Sequence, residues 1–381
     1  MSTIYEQSLS KHKEYKGKLA IHSKVPLDTR QDLSTYYSPG VAAPCLEIQK
    51  DHETAYDYTW KNNSVAVVSD GTAVLGLGNI GGIAGLPVME GKSILFKEFW
   101  NVDAVPIVLE YQDINKTVET IINIAPSFWW INLEDIKAPE CFTIEEQLKA
   151  KLNIPVFHDD QHGTAIVVLA GLINALKITN RDITTSKIVV SGAGAAGIAI
   201  TKLLSLYGAT DIIMIDSKGA IYEGRDGLNS YKESLTYLNK ENKKGKLSDI
   251  ISGTDIFIGV SGQVDDLSAH DIKSMNPDPI IFALSNPTPE VNPEVAKQAG
   301  AAIIATGRSD YPNQLNNVLV FPGLFRGILD GRIVQITDDH KLAAAIAIAN
   351  YVDNPTREEI IPNPLDKNVA TIVAEAVKKV G

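Results

Sequence analysis

Residues 188–216 constrain this chain more than any other stretch. They spell a strand, a glycine turn, a helix, a second strand and an acid in one run. Residues 188–191 are a short apolar run, and 192–197 (Gly-Ala-Gly-Ala-Ala-Gly) fit G-x-G-x-x-G. Residues 198–207 have helical periodicity closed by Gly208, and 211–215 are a second apolar strand ending at Asp216. Each part has a job on a dinucleotide. Gly192, Gly194 and Gly197, with the small Ala195 and Ala196, permit a tight turn and close backbone approach to a pyrophosphate. The helix N-terminus offers it free N–H groups and a positive dipole end, and Asp216 can accept hydrogen bonds from a ribose 2′-hydroxyl. The competing reading is a sharp strand–helix turn that holds no ligand.

The chain has 381 residues, room for two cored domains. Its formal charge of −11 argues against a nucleic-acid partner, which would call for a basic face. It leaves a small anionic substrate open, because local potential matters more than the total. The cluster Lys240, Lys243, Lys244 and Lys246 shares a polar loop with Glu241 and reads as a solvated turn. Two cysteines, Cys45 and Cys141, make no disulfide framework and favour a reducing compartment. Residues 1–6 lack the basic-then-apolar order of a secretory signal. The most apolar stretches, 165–176 and 342–349, are shorter than the roughly 20 residues a bilayer requires. The expectation is a cytoplasmic protein without membrane contact.

Strand and helix patterns alternate nearly throughout, which implies an α/β fold with mostly parallel sheets. Strands are expected at 64–69, 105–109, 131–133 and 155–157, with helices at 115–125, 142–152 and 163–177. The nucleotide unit begins near Ser186 and continues through strands at 255–260, 280–283 and 302–305. No internal repeat is present. One domain is expected over 1–160 and a second, a Rossmann-like doubly wound parallel sheet, over 161–340. A helical tail over 341–381 packs back on the first domain or on a partner subunit.

Several of the residues able to do chemistry follow predicted strands, where open α/β sheets bind their ligands. Glu134 and Asp135 follow one strand; His158, Asp159 and Asp160 follow another. Four carboxylates in one cleft would raise each other's pKa unless a cation were present. All-oxygen ligation selects magnesium, manganese or calcium over zinc. The alternative is a set of solvated loop carboxylates. His158 and His162 read as helix-start residues rather than zinc ligands. Lys92 lies between a glycine and an apolar run; burial would lower its pKa and make it a usable base, and a surface lysine is the plainer reading. Tyr37 sits in a turn where its hydroxyl can donate to a carbanion. Residues 76–81 form a second G-x-G-x-x-G, but 82–87 look like a poor helix and no strand-plus-acid unit is expected after them, so this motif reads as a turn lining the cleft. Asn286 and Asn317 can donate to a carboxylate or carboxamide without adding charge, though each alone reads as a turn former.

Together these stretches resemble the malic enzymes, specifically the short bacterial type. The resemblance rests on Tyr-Ser-Pro-Gly-Val-Ala (37–42), Ser-Asp-Gly-Thr-Ala-Val-Leu-Gly-Leu-Gly-Asn (69–79) and Gly-Leu-Pro-Val-Met-Glu-Gly-Lys (85–92). It continues through Ile-Asn-Leu-Glu-Asp-Ile (131–136), His-Asp-Asp-Gln-His-Gly-Thr-Ala (158–165), Ala-Leu-Ser-Asn-Pro-Thr (283–288) and Asn-Asn-Val-Leu-Val-Phe-Pro-Gly (316–323). It implies oxidative decarboxylation of malate to pyruvate and CO2, with NAD or NADP as acceptor and Mg²⁺ or Mn²⁺ as cofactor. It also implies roles: Glu134, Asp135 and Asp160 as metal ligands, Lys92 as the base at the C2 hydroxyl, and Asp159 as its partner. Tyr37 becomes the acid that protonates C3. Asn286 and Asn317 become substrate contacts, with Asn286 also at the dinucleotide beside residues 192–197 and Asp216. A homodimer is the family expectation, and Tyr37 could serve the neighbouring subunit.

The sequence departs from the pattern in three places. Trp129-Trp130 and Trp100-Asn101 stand where small residues are usual, and Gly71-Thr72-Ala73 occupies the stretch where larger members carry a carboxylate-binding arginine. Indoles close to Glu134 would reshape the pocket. Asp216 favours NAD, because a 2′-phosphate would meet a carboxylate, with Lys218 as a partial offset. Oxaloacetate decarboxylation and a malolactic activity share the same ligands. A two-domain amino-acid dehydrogenase would need no carboxylate metal site, and a non-catalytic nucleotide sensor would be expected to lose Lys92, Tyr37 or a metal ligand.

Overall fold

The computed structural model describes residues 3–74, 76–110 and 113–380. Leu75, inside the 69–79 motif, and Met1 and Ser2, part of the stretch read for a secretory signal, lie outside the described residues. Helices α1 (Ile4–Tyr15), α2 (Arg30–Tyr36), α3 (Ala42–Lys50) and α4 (Ala55–Tyr58) lead into the first sheet. That sheet holds β1 (Ser64–Ser69), β2 (Asp103–Val108), β3 (Trp130–Leu133) and β4 (Val156–His158) in the order β2-β1-β3-β4, all parallel. Parallel neighbours need crossovers. These are α5 (Gly82–Trp100), α6 (Ile114–Ile124) and α7 (Glu140–Lys151).

Helix α8 (Asp159–Thr179) leads out of β4 into the second sheet: β5 (Lys187–Ser191), α9 (Ala195–Tyr207), β6 (Asp211–Asp216), β7 (Gly219–Ala220), α10 (Ser230–Glu233), α11 (Leu247–Ile250), β8 (Ile256–Gly259), α12 (Ala269–Ser274), β9 (Ile280–Ala283), α13 (Pro293–Ala299) and β10 (Ile303–Thr306). The order is β10-β9-β8-β5-β6-β7, parallel except for the β6–β7 hairpin. This is the α/β, doubly wound arrangement expected, with its strand order reversing between β5 and β8. Helices α14 (Phe321–Asp330), α15 (Asp338–Asn350) and α16 (Lys367–Lys378) complete the chain. The tail packs chiefly on the second half, α16 on α14 and α15 on α8. It reaches the first half at the head of α16, where Lys367 Nζ donates to the carbonyl of Glu98 (3.4 Å), while α14, before the tail, packs on α5. The main apolar cluster runs unbroken through both sheets, from Val65–Val68 to Ile188 and Ile280.

Two sequence expectations are corrected here. Residues 82–87 do form a helix: α5 is 19 residues long and contains Pro87. Its buried residues Gly82, Gly85, Met89, Lys92, Ser93 and Phe96 recur at helical spacing, so packing of that face overrides the weak local propensity of two glycines and a proline. A helix and a strand, β2, therefore do follow the second glycine motif. The motif is nonetheless displaced from its strand, β1 ending at Ser69 and the turn starting at Gly76. The second correction concerns the 165–176 run, read as too short to span a bilayer. It sits in a 21-residue helix long and apolar enough to do so. Residues 165–176 are all buried, and the helix instead forms the axle between the two sheets.

The glycine turn after β5 explains its own composition. Gly192 has φ +111, a conformation open to glycine, and a Cβ there would press on the backbone of Val260. A Cβ at Gly197 would overlap the carbonyl oxygen of Gly192, so only glycine lets α9 sit this close to β5. Gly194 has open space around it, as a position approached by a ligand would. Gly197→Ala is expected to destabilise the protein by about 3 kcal/mol or more, the upper range for overpacking a rigid contact. Chemical denaturation checks this, and an unchanged midpoint would contradict it.

Candidate active site

The parallel register builds the site. Leu133 on β3 pairs with Val68 on β1 and with His158 on β4. The next residues, Glu134-Asp135 and Asp159-Asp160, are therefore side by side at the C-terminal edge, on strands about 4.8 Å apart. Asp135 has φ 55, the left-handed region that a non-glycine residue occupies at a cost of order 1–3 kcal/mol. Its backbone N–H donates to Asp160 Oδ2 at 2.8 Å, which ties the two acidic loops together.

Lys92 reaches this edge from the third turn of α5. Its ammonium donates to Asp159 Oδ2 at 2.5 Å and lies 3.0 Å from Glu134 Oε1. The ring of Phe321 is 4.5 Å from Nζ. Asn317, from the second half of the chain, donates to Asp159 Oδ2 through Nδ2, and Gly163 one turn along α8 leaves the room these groups occupy. The second glycine motif closes the cleft: a Cβ at Gly76 would lie 3.2 Å from the carbonyl of Asn286. Asn286 therefore sits against the first half, as a contact at a shared cleft would.

The electrostatics differ from the expectation in one respect. Burial alone pulls Lys92 down, but Asp159 and Glu134 pull harder in the other direction and hold it above its ordinary pKa. The lowered pKa anticipated from burial is thus corrected; in this form Lys92 is an ammonium. Burial, with the charges of Asp159, Asp160 and Asp135, pushes Glu134 well above the carboxylate range against the pull of Lys92. The cluster is short of positive charge.

Among the described residues, no three acidic, histidine or cysteine side chains converge at metal-ligating range. Glu134, Asp135 and Asp160 do share one edge, with Glu134 turned toward Lys92 and Asp160 toward the Asp135 backbone. Asp159 Oδ1 is buried and unpaired. An all-oxygen donor set with one lysine among four carboxylates fits a hard divalent cation.

Sequence reasoning missed several supports. Asn132 Nδ2 donates to Glu134 Oε2 at 2.9 Å; a lone amide in an apolar strand, two residues before the acid and so on its face, was the available signal. Glu145 is buried and accepts from His162 Nε2 (2.9 Å), Lys149 Nζ (2.8 Å) and the backbone N–H of His158 (3.3 Å). It anchors the β4–α8 turn that carries Asp159 and Asp160. Burial holds His162 down at about 4 despite Glu145, so His162 is a neutral structural donor, as the plain reading had it. Both ring nitrogens of His158 are buried, and Nδ1 lies 3.8 Å from Asp160.

The tryptophans do not crowd the carboxylates. Trp130 packs its indole on Phe325 (centroids 4.0 Å apart) and Phe157 (6.2 Å), at the start of β3, with Trp129 stacked beside it. Four residues of strand, about 13 Å, separate it from Glu134. Asn101 caps α5 in the left-handed region (φ 53), which accounts for an asparagine there. Gly71 has φ +67, and its carbonyl oxygen accepts from the backbone N–H groups of both Ile80 and Gly81 at 3.1 Å.

Tyr37 stands apart. It is 68% exposed, and none of the described residues of α1 to α4 around it is buried. The dinucleotide turn opens on a cavity of about 440 Å³ lined by Gly192, Ala193, Gly194, Asp216, Ser261 and Gln263. Asp216 lies at its edge but is not the free acceptor expected. Arg225 Nη2 donates to Oδ1 at 2.6 Å and Lys232 Nζ to Oδ2 at 2.7 Å. Burial alone would raise Asp216, yet hydrogen bonds from Lys232 and Arg225 hold it below the ordinary carboxylate value.

Residues 161–381 match the family described as malic enzyme, NAD binding domain, and residues 16–149 match malic enzyme, N-terminal domain. The chain is 55% identical over 381 residues to a bifunctional malic/malolactic enzyme of Bacillus subtilis, covering 99% of this chain and 93% of that one. It is 53% identical to an NAD-dependent malic enzyme of Geobacillus stearothermophilus, covering 95% and 76%. The crystal structure of malic enzyme from Pyrococcus horikoshii superimposes with a TM-score of 0.95 at 46% identity, covering 99% and 90%.

Proposed function

The chain belongs to the malic enzyme family, and from that premise we propose that it oxidatively decarboxylates malate to pyruvate and CO2, reducing NAD or NADP. The observation that carries the reading is Lys92 clamped between Asp159 and Glu134, with Asp135 and Asp160 on the same edge and Asn317 reaching in from the dinucleotide half. Glu134, Asp135 and Asp160 would hold Mg²⁺ or Mn²⁺. Such an ion supplies Lewis acidity at the C2 oxygen, so that the electrons left by departing CO2 are stabilised. The dinucleotide, with its pyrophosphate on residues 192–197, supplies the hydride acceptor.

The chain's own residues handle the protons. Lys92 takes the proton of the C2 hydroxyl, with Asp159, itself held by Asn317 Nδ2, fixing its ammonium between turnovers. Because Asp159 and Glu134 together hold that ammonium, a neutral amine requires Glu134's charge to be engaged elsewhere, as ligation of a cation would do. Asn286 and Asn317 orient malate through neutral donors, and Tyr37 returns a proton to C3 of the enol. No covalent intermediate is needed, and no nucleophile motif is present.

The exposure of Tyr37 supports a homodimer in which it completes the partner's cleft. Leu33 and Tyr36 on α2, Val41 at the head of α3 and Leu46 on α3 are exposed apolar groups around it. Mixing inactive Tyr37→Phe and Lys92→Ala chains should then restore about a quarter of wild-type activity, the share of native sites in random two-fold dimers. No recovery would contradict a shared site. We read the two domains as 1–160 and 161–340, the boundary falling in the first turn of α8, and the location as cytoplasmic, both cysteines being free.

The deciding assay is malate with NAD and Mn²⁺, following reduced cofactor and pyruvate together; equal yields are expected. A malolactic or oxaloacetate-decarboxylating activity is the second reading, favoured by the name of the Bacillus relative. Lactate from malate without net reduced cofactor would replace the first reading by the second.

A further inference from the structure

A cavity of about 380 Å³ opens where α7 of the first half faces α9 and α10 of the second, with α15 contributing to its wall. Neither Lys92, nor the four carboxylates of the candidate site, nor the glycine turn lines it. Its volume is that of a small-molecule site. Phe142, Ile198, Leu203 and Tyr231 give it an apolar wall, and Lys149, Lys202 and Lys341 reach it from three different helices. The cavity has more donors than acceptors. Lys341 is 8% exposed, yet among the described residues its three ammonium protons meet one partner, Asp338 Oδ1 at 2.9 Å. Lys149 Nζ lies 2.8 Å from Glu145 Oε1. Lys202 has the ring of Tyr231 at 5.7 Å and, among the described residues, no carboxylate within 4 Å. The acids are already engaged: Glu145 by His162, Lys149 and the His158 backbone, Glu146 by the Tyr231 hydroxyl (3.0 Å), and Asp338 by Lys341. Burial pulls Lys341 below its ordinary pKa; Asp338 pulls back, and the charge of Lys149 deepens the depression. A buried ammonium with unfilled donors is costly, and an anion would supply the missing acceptors.

We propose that this cavity binds a small organic carboxylate, its charged end between Lys341 and Lys149 and its apolar body along Phe142, Ile198 and Leu203, and that occupancy is felt at the turn carrying Asp159 and Asp160. Lys149 is the link. It shares Glu145 with His162 and with the backbone N–H of His158, the last residue of β4. An ammonium on a flexible stem can leave one carboxylate for another without backbone movement. A ligand that draws Lys149 off Glu145 therefore loosens the anchor of that turn. The site itself is independent of the malate reading, whereas the coupling rests on the carboxylate metal site.

The test needs no turnover. The full chain is titrated calorimetrically with 2-naphthoate and with its neutral counterpart 2-naphthamide, as wild type and as Lys341→Met. The substitution replaces a buried ammonium by an apolar side chain of similar length, and the Asp338 it leaves behind is 56% exposed and can be solvated. Wild type is expected to bind one naphthoate per chain about 10-fold or more tightly than the amide, a comparison that depends on no variant. Lys341→Met is expected to weaken naphthoate about 10- to 100-fold, the value of a hydrogen bond to a charged group, and to leave the amide within about threefold. Absence of naphthoate binding, equal binding of acid and amide, or binding indifferent to Lys341→Met (as a carboxylate lodged in the catalytic cleft would be) overturns the site. Manganese affinity is then measured by electron paramagnetic resonance with and without saturating naphthoate. It is expected to weaken about 3- to 10-fold in wild type, less than the 10- to 100-fold cost of deleting an outer support, and to stay unchanged in Lys341→Met. Naphthoate bound through Lys341 with manganese affinity unchanged overturns the coupling and leaves the site standing. Failure of manganese to bind at all overturns the metal reading and the coupling with it, and leaves the naphthoate result intact.

Discussion

Lys92→Ala lowers kcat for malate oxidation by about 10²- to 10⁴-fold, the range a positioned proton-transfer group contributes. The geometry makes the effect specific. Lys92 is the cation in direct contact with both Asp159 (2.5 Å) and Glu134 (3.0 Å), and the neighbouring polar group, Asn317, cannot accept a proton in its place. Removing the lysine also leaves buried carboxylates uncompensated, so the variant should lose about 3–5 kcal/mol of stability, as when one partner of a buried ion pair is deleted. Two measurements separate these consequences. Denaturant unfolding reports the stability loss, and steady-state kinetics at a temperature where the variant remains folded report the proton transfer. A Lys92→Ala enzyme that is folded and turns malate over within about threefold of wild type would exclude Lys92 as the base.

Removal of divalent metal should have an effect as large. Treatment with EDTA is expected to lower malate turnover by about 10³-fold or more, equivalent to the several kcal/mol that Lewis-acid stabilisation of a developing enolate provides. Mn²⁺ or Mg²⁺ should restore it, and Zn²⁺, which prefers nitrogen and sulfur ligands, should do so poorly. Nucleotide binding at the glycine turn is a separate function of the chain and should survive the treatment. The physical basis is the charge imbalance: burial and three neighbouring acids push Glu134 well above the carboxylate range despite Lys92, and a divalent ion corrects that imbalance more completely than a proton. Full activity after exhaustive chelation would remove the metal from the account.

The sequence made the fold legible wherever a short motif had one physical solution. The strand–glycine–helix–strand unit at 187–216 could be placed because the glycine at 197 is forced by the close approach of α9 to β5, not by preference. Glu134, Asp135, Asp159 and Asp160 could be grouped because acids after parallel strands share an edge, and the register of β3 against β4 does align them. Residues 82–87 were misread for the opposite reason. Their local propensity is poor, and only the packing of α5, invisible in one sequence, decides the outcome. The Lys92 pKa was misjudged because burial was considered without the two carboxylates that accompany it. Arg225 and Lys232 escaped notice because they lie 9 and 16 residues beyond Asp216 and reach it only through the β6–β7 hairpin and α10. Glu145 likewise acts across the β4–α8 turn, 13 residues from His158. Supports that depend on tertiary contact carry no local signature.

The most direct measurement is a Mn²⁺ titration, followed by electron paramagnetic resonance, of wild type and Asp160→Ala, each checked for a native circular dichroism spectrum. Wild type is expected to bind one ion per chain, and Asp160→Ala to weaken that binding by at least about 100-fold, since it removes a ligand outright where loss of an outer support alone costs 10- to 100-fold. Unchanged manganese affinity in a folded Asp160→Ala protein would contradict the carboxylate site on which the proposed chemistry depends.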